Sequence, residues 1–170
     1  MDYLWTPWRY RYVSSKTDES APESREHCVF CRILASDTSD RDALIVHRAE
    51  HNFVILNRYP YTSGHMLVVP FDHVASLAEA PCTATEEMMR LTRQLERVLR
   101  SLYAPDGINI GMNIGRAGGA GVAGHVHMHA LPRWIADSNF ATVIGETRVL
   151  PEALAVTWER VRAEIERASV

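Results

Sequence analysis

The chain has 170 residues, of which 46% are apolar and 23% are charged, and its net charge is −3. This length normally makes one domain with an adequate core, and the composition is typical of a globular protein. The small acidic excess gives no general electrostatic argument for binding nucleic acid or a membrane, so we expect neither partner. No apolar run is long enough to span a bilayer and the N-terminus has no signal-peptide core, so we expect a cytoplasmic location.

Residues 1–26 are predicted to form an aromatic arm followed by a polar linker. Two tryptophans and three tyrosines surround Pro7 within residues 1–13. Aromatic side chains most often serve packing, so we favour an arm that packs on the body or on a partner subunit. A stacking surface for a base is the alternative. Residues 14–26 are polar and charged, which predicts a loop.

The chain contains three cysteines, Cys28, Cys31 and Cys82. An odd count does not indicate the disulfide framework of a secreted protein. Cys28 and Cys31 have C-x-x-C spacing, which by itself allows half of a zinc site or a redox pair. Two buried free cysteines are the remaining alternative for this pair. The sequence predicts no role for Cys82.

The middle of the chain predicts strands that form a sheet. Apolar runs rich in β-branched residues at 43–48 and 53–57 predict a β-hairpin. A turn-rich segment then leads through Gly64-His65 to a further strand at 66–69. Another strand is predicted at 108–114.

Two helices are predicted, and the clearer one covers residues 83–103. Thr83 and Glu86 have the spacing of a capping box at its start. Its apolar residues recur every three or four positions and form one stripe. The stripe consists of Met88, Leu91, Leu95, Val98, Leu99 and Leu102. The second helix is predicted at 151–168, with Pro151 in its first turn. Its apolar face consists of Leu154, Trp158, Val161 and Ile165.

The most informative stretch is His125-Val126-His127-Met128-His129, which follows a glycine-rich loop. Alternation at period two is strand spacing, so the three imidazoles are expected on one face, with the two apolar residues facing a core. Backbone N–H groups of the loop can form a site for an anion. Imidazoles beside a phosphate-sized site indicate nucleophilic chemistry at phosphorus. A metal site made by the three histidines alone and a purely structural row are the alternatives.

The His-x-His-x-His motif followed by two apolar residues resembles the signature of the histidine triad (HIT) superfamily of nucleotide hydrolases and transferases. The ending Leu131-Pro132-Arg133-Trp134 and the aromatic N-terminal opening resemble the branch of diadenosine polyphosphate phosphorylases and hydrolases. The resemblance implies that His127 is the nucleophile and forms a nucleotidyl-histidine at the α-phosphorus. It also implies that His125 and His129 support the phosphate and the leaving group.

The resemblance further implies a set of nucleotide contacts. Asn57 matches the residue that hydrogen-bonds the ribose hydroxyls, and His65 matches a histidine near the nucleotide. Phe30 and Ile33 match apolar walls of the base pocket, and Asn113 matches an asparagine near the phosphates. Many members carry Gln, Ser or Thr a few residues before the first histidine, where this chain has Gly121 and Val122. We expect backbone amides of residues 118–122, including Gly119, to replace that side-chain donor.

A structural zinc ion is implied by the same resemblance. Zinc-containing members use two cysteines, a histidine after an apolar strand and the first histidine of the triad. The matching residues here are Cys28, Cys31, His73 and His125. All four positions hold a residue of the required type.

These expectations define an α+β protein with the histidine triad fold. It has an antiparallel sheet of about five strands, a long packed helix and an extra C-terminal helix. Residues 27–134 form the nucleotide-binding domain and 135–170 a C-terminal extension, all within one globular unit. The resemblance implies a homodimer or a dimer of dimers, with adenine nucleotides or dinucleoside polyphosphates as substrates.

The missing side-chain donor favours a diadenosine polyphosphate phosphorylase, which in reverse is an ATP adenylyltransferase. A dinucleoside polyphosphate hydrolase and a nucleoside phosphoramidase are the alternatives among enzymes. A nucleotide-binding regulator with little turnover is the alternative from another class.

Overall fold

The computed structural model describes residues 24–137 and 152–168. The predicted aromatic arm, most of the linker and the start of the second predicted helix lie outside the described residues. The elements of the described part are α1 (Val29–Ala35), β1 (Ile45–Arg48), β2 (Asn52–Leu56), β3 (Met66–Pro70), α2 (Cys82–Tyr103), β4 (Gly107–Gly111), β5 (Met128–Arg133) and α3 (Leu154–Ala168).

The five strands form one antiparallel sheet in the order β1-β2-β3-β5-β4. The predicted α+β architecture is therefore confirmed. The β1–β2 hairpin lies at one side of the sheet, and β5 lies in the interior between β3 and β4. This order places the histidine-rich strand beside β3, with Leu67 opposite His129 and Val68 opposite Met128.

Both faces of the sheet are covered, and successive residues alternate between them as strand geometry requires. On one face, Val54, Val68 and Met128 pack with the apolar stripes of α2 and α3. On the other face, Phe53, Leu67 and Val69 pack with α1. Because Leu67 pairs with His129, the histidine lies on the α1 face, while Met128 lies in the core beneath α2.

The apolar stripes predicted for both helices are confirmed. In α2, Met88, Leu91, Leu95, Val98 and Leu99 are buried, and Leu102 is partly buried. In α3, Val161 and Ile165 are buried, and Leu154 and Trp158 pack against the same core. The Trp158 indole N–H also donates to the carbonyl oxygen of Ile45 at 2.8 Å, which joins α3 to β1. Among the helices of the two described ranges, none is long and apolar enough to cross a bilayer.

Two local predictions were wrong, and one element was missed. The long helix begins at Cys82 after Pro81, with no side-chain cap, so the capping box does not form. The ring of Pro81 already holds the backbone angle that leads into the helix. The histidine-rich strand begins only at Met128, because the N–H of Val126 donates to the carbonyl oxygen of Val74 instead of to a neighbouring strand. Helix α1 was not predicted at all, and its seven residues are too few for a clear apolar periodicity.

The turn before His65 depends on Gly64, whose φ of +80° is left-handed. A Cβ atom at this position would lie 2.8 Å from Cε2 of Tyr103 and 3.2 Å from Cδ2 of Leu99. The Tyr103 ring cannot easily move away, since its hydroxyl donates to Glu152 at 2.7 Å and the Arg160 guanidinium lies 4.9 Å from its centroid. Glycine is therefore required here for two reasons, the backbone angle and the close approach of the ring.

We predict that Gly64→Ala lowers the free energy of unfolding by about 2 kcal/mol or more. Alanine is strained at a left-handed backbone angle, and its Cβ atom would also be too close to the Tyr103 ring. Gly107→Ala is the matched control, since a Cβ atom at Gly107 meets no atom within 4 Å. Urea denaturation of the two variants measures the difference. Equal loss of stability in both variants would contradict this account of Gly64.

Candidate active site and metal cluster

The C-x-x-C pair lies at the start of α1. Cys28 immediately precedes the helix and Cys31 lies in its first turn, and both side chains are buried. The helix therefore brings the two thiols to one end of the sheet, close to His73 and His125.

The four residues predicted as zinc ligands form one cluster in the structure. Their ligand atoms all lie within 4.8 Å of one another. The Sγ atom of Cys28 is 3.3 Å from Nδ1 of His125, and the Sγ atom of Cys31 is 3.4 Å from Nδ1 of His73 and 3.7 Å from Nδ1 of His125. Tetrahedral zinc with its usual bond lengths requires ligand separations of about 3.4–3.8 Å, so these donors fit the ion.

The orientation of His125 agrees with a metal-binding role. Its Nε2 lies 2.9 Å from the carbonyl oxygen of Pro70, an acceptor that requires the proton on Nε2. Nδ1 is then unprotonated and directed at the two sulfur atoms, as a metal ligand must be. With both nitrogens engaged inside the protein, His125 has none directed at a substrate. Of its two predicted roles, this geometry favours the metal ligand.

His127 has the orientation of a nucleophile. Its Nδ1 lies 2.8 Å from the carbonyl oxygen of His125, so Nδ1 carries the proton and donates it. Nε2 is left with a free lone pair. Burial lowers the pKa of His127, so the ring is neutral near pH 7 and this lone pair stays available.

His129 is oriented by a chain of hydrogen bonds that begins at a backbone amide. The N–H of Tyr61 donates to Nδ1 of His65 at 3.1 Å, and the side-chain amide of Asn57 lies 3.3 Å from the same nitrogen. The proton of His65 must therefore be on Nε2, which lies 2.9 Å from Nδ1 of His129 and donates to it. His129 then carries its own proton on Nε2 and can donate it to a substrate oxygen.

The triad histidines are held in their neutral form. Burial and, to a smaller extent, the neighbouring His127 lower the pKa of His129 to about 4. Burial also lowers the pKa of His125 to about 4. His129 is therefore a neutral hydrogen-bond donor at physiological pH and not a positive charge.

A cavity of about 460 Å³ opens beside His127 and His129. Its volume is in the range of small-ligand sites. Seven residues predicted to bind the substrate line it, namely Phe30, Ile33, Asn57, Asn113, Gly119, Gly121 and Val122. His65 is not a lining residue, but it contacts three residues that are, namely Asn57, Tyr61 and His129. His125 is not among the lining residues.

Sequence reasoning did not identify the rest of the lining. It consists of Val29, Ala43, Leu44, Ile55, Leu56, Arg58, Tyr59, Tyr61 and Leu67. The apolar members come from α1, the segment before β1, β2 and β3, and strand alternation could have indicated some of them. The two tyrosines lie two and four residues after Asn57, and that position was the available signal.

The glycine-rich loop offers fewer free amides than the sequence predicted. The N–H groups of Gly118, Gly119 and Ala120 donate to carbonyl oxygens of Gly115 and Arg116 within the loop itself. Among the described residues, the N–H groups of Gly121 and Val122 have no acceptor. The predicted anion site is therefore reduced to these two amides, at the positions where the resemblance leads one to expect a side-chain donor.

We predict that the Cys28→Ser/Cys31→Ser double variant binds no zinc and unfolds at a lower temperature than the wild type, because a metal held by the four residues would connect α1 to the sheet. Cys82→Ser is the matched control, since Cys82 is exposed and outside the cluster. Elemental analysis and thermal unfolding measure the two effects. Full zinc content in the double variant would refute this ligand set.

We predict that His129 makes stability depend on pH. The unfolded chain takes up its proton near pH 6.5, whereas the folded chain does so only near the lowered pKa of about 4, so acidification through this window favours unfolding. His129→Asn should therefore show a shallower loss of unfolding free energy between pH 6.5 and 4. Denaturation at several pH values, with the same chelator in both samples, measures the slopes. Identical slopes would contradict the lowered pKa.

The chain is similar to proteins of known family. The HIT domain family matches residues 38–134. An AP-4-A phosphorylase of Mycobacterium tuberculosis is 34% identical over 161 residues, which cover 95% of this chain and 83% of that protein. Protein hit of Bacillus subtilis is 30% identical over 118 residues, 69% of this chain and 79% of that protein. A Zn-bound histidine triad family protein of Mycobacterium smegmatis superposes with a TM-score of 0.69 at 27% identity, covering 86% of this chain and 98% of that chain. With the triad geometry described above, the chain belongs to the HIT family.

Proposed function

We propose that this protein is a nucleotidyltransferase that cleaves diadenosine polyphosphates with inorganic phosphate. The observation that carries the proposal is the free Nε2 lone pair of His127, fixed by the Nδ1 hydrogen bond to the His125 carbonyl beside a nucleotide-sized cavity. The similarity to a Mycobacterium tuberculosis protein named AP-4-A phosphorylase supports this choice of reaction.

Two sets of contacts in the cavity orient the substrate, one to the base and one to the ribose. One adenine lies among the apolar residues around Phe30 and Ile33. The Asn57 amide holds a ribose hydroxyl, since one acceptor and one donor position remain after its contacts to Tyr59 and His65. This arrangement brings the α-phosphorus to His127.

The first step is attack of His127 Nε2 on the α-phosphorus. An N–P bond forms, and the bond from phosphorus to the bridging oxygen breaks, so that diadenosine tetraphosphate releases ATP. The Nε2–H of His129 and the N–H groups of Gly121 and Val122 donate to the oxygens that gain negative charge.

In the second step an oxygen of inorganic phosphate attacks the same phosphorus. The N–P bond breaks, ADP leaves, and the proton of hydrogen phosphate passes to the solvent. His127 returns to its neutral form, which its lowered pKa favours.

The proposal includes a structural zinc ion held by Cys28, Cys31, His73 and His125. It would contribute rigidity and no chemistry to the transfer, since it would lock α1 and therefore Phe30 against the triad.

The proposal also includes a homodimer. Strand β4 lies at an edge of the sheet, and Ile110 and Ile114 near it are 44% and 46% exposed.

We predict that diadenosine tetraphosphate is converted to ADP and ATP only when inorganic phosphate is present, because phosphate is the second nucleophile. Product analysis by chromatography with and without phosphate measures this. AMP and ATP without phosphate would replace the proposal by a hydrolase. No turnover in either condition would refute it.

His127→Asn is the decisive control for this experiment. It should lose at least about a thousandfold in turnover and keep nucleotide binding, since only the nucleophile is removed. Cys82→Ser should behave as the wild type, because Cys82 is exposed and lies outside the cavity lining. Turnover retained in His127→Asn would exclude His127 as the nucleophile.

A further inference from the structure

The loop that follows β2 carries three side chains that the proposed reaction has not used. Arg58, Tyr59 and Tyr61 line the same cavity as His127 and His129. Tyr59 is 81% exposed and Tyr61 is 48% exposed. Two large aromatic rings at the open side of a substrate cavity need an explanation, since exposed aromatic surface is costly in water.

The backbone of this loop is held firmly although its rings are exposed. The N–H of Tyr59 donates to Oδ1 of Asn57 at 3.0 Å, and the N–H of Tyr61 donates to Nδ1 of His65 at 3.1 Å. The Thr62 hydroxyl donates to the carbonyl oxygen of Pro132 on β5 at 3.0 Å. The rings therefore stand on a fixed support, which lowers the entropy cost of stacking a planar ligand on them.

The rings around the cavity are linked by pairwise contacts. The centroids of Phe30 and His127 are 5.3 Å apart, and those of His127 and His129 are 4.9 Å apart. The Tyr61 centroid lies 6.3 Å from that of His129, with an angle of only 12° between the two planes, and 4.7 Å from that of His65. A substrate with its base at Phe30 and its α-phosphorus at His127 can therefore place its leaving group beside His129 and Tyr61.

The charge on this side of the cavity suits a polyphosphate. Arg58 is exposed and forms no ion pair with any described residue, so its guanidinium is available for phosphate oxygens. The neutral His129 adds one hydrogen-bond donor but no charge. Arg58 is thus the cation that the loop offers to the phosphates beyond the α-phosphorus.

We propose that Arg58, Tyr59 and Tyr61 form the site of the departing nucleotide of a dinucleoside polyphosphate. The tyrosine rings stack on the second base, and Arg58 holds the phosphates between the two nucleosides. Stacking on aromatic rings accepts any base, so this site selects for the presence of a second nucleoside and not for its identity. The inference rests on the proposed function, and it adds the residues that would recognise the second nucleoside of the substrate.

The test compares diadenosine tetraphosphate with adenosine 5′-tetraphosphate. The two compounds share an adenosine, an α-phosphorus and four phosphates, and only the first has a second nucleoside. Binding is measured by calorimetry in the His127→Asn background, where no turnover disturbs the titration. We expect diadenosine tetraphosphate to bind more tightly, and Tyr59→Ala/Tyr61→Ala to reduce that preference by about tenfold or more. Tyr61→Trp with Tyr59 intact should keep it, because the stacking surface remains.

Two further variants test whether the effect of the tyrosine substitutions is specific to the second nucleoside. Arg58→Ala should weaken both ligands together, because both carry the phosphates. Met89→Ala is the control, since Met89 is an exposed apolar residue on α2 outside the cavity lining, and it should change neither affinity. An unchanged preference in the double tyrosine variant, or no preference in the parent protein, would overturn the inference. The phosphate-dependent product analysis is independent of this titration, so failure of the proposed function would be recognised separately.

Discussion

The site depends on one constraint, which is that a neutral imidazole has one donor nitrogen and one acceptor nitrogen. Three fixed backbone groups decide which nitrogen has which role. The carbonyl oxygen of Pro70 turns the lone pair of His125 to the cysteines, and the carbonyl oxygen of His125 turns the lone pair of His127 to the cavity. The N–H of Tyr61 donates to Nδ1 of His65, so Nε2 of His65 carries the proton and donates to Nδ1 of His129. His129 is thereby left with its own proton on Nε2, where it can act as a donor. Three identical side chains thereby acquire three different chemical functions.

The fold supplies these backbone groups by placing the histidine segment between β3 and α1. Pairing of Leu67 with His129 fixes which face the histidines occupy. The core under α2 and α3 fixes the strands themselves. The C-terminal segment 152–168 lies beyond the residues that the HIT family matches, yet it contributes to the site indirectly. Glu152 holds Tyr103, Tyr103 packs against Gly64, and Gly64 directly precedes His65.

Much of the fold and of the candidate site could be predicted from the sequence, because the residues involved recur at regular intervals or belong to a recognisable motif. Apolar runs rich in β-branched residues predicted the hairpin, and the apolar stripes predicted α2 and α3. The resemblance to the histidine triad superfamily implied the four residues of the metal cluster. Helix α1 could not be predicted, because a seven-residue helix is stabilised by packing of Phe30 and Cys31 and not by its own propensity. The roles of individual ring nitrogens were also beyond the sequence. They depend on a carbonyl group 55 positions away in the chain, that of Pro70, or on the exact course of a loop, such as that of Tyr61.

Burial of the triad explains how the missing side-chain donor is tolerated. A charged histidine beside the nucleophile would attract the phosphate but would also disfavour the positive charge that the His127 ring would carry in the proposed covalent intermediate. Burial instead keeps His127 and His129 neutral, so stabilisation of negative charge falls to oriented dipoles. The N–H groups of Gly121 and Val122 and the Nε2–H of His129 are such dipoles, and their directions are set before the substrate arrives. In the proposed complex the full positive charge would be that of Arg58, which lines the same cavity and would meet the phosphates of the leaving group.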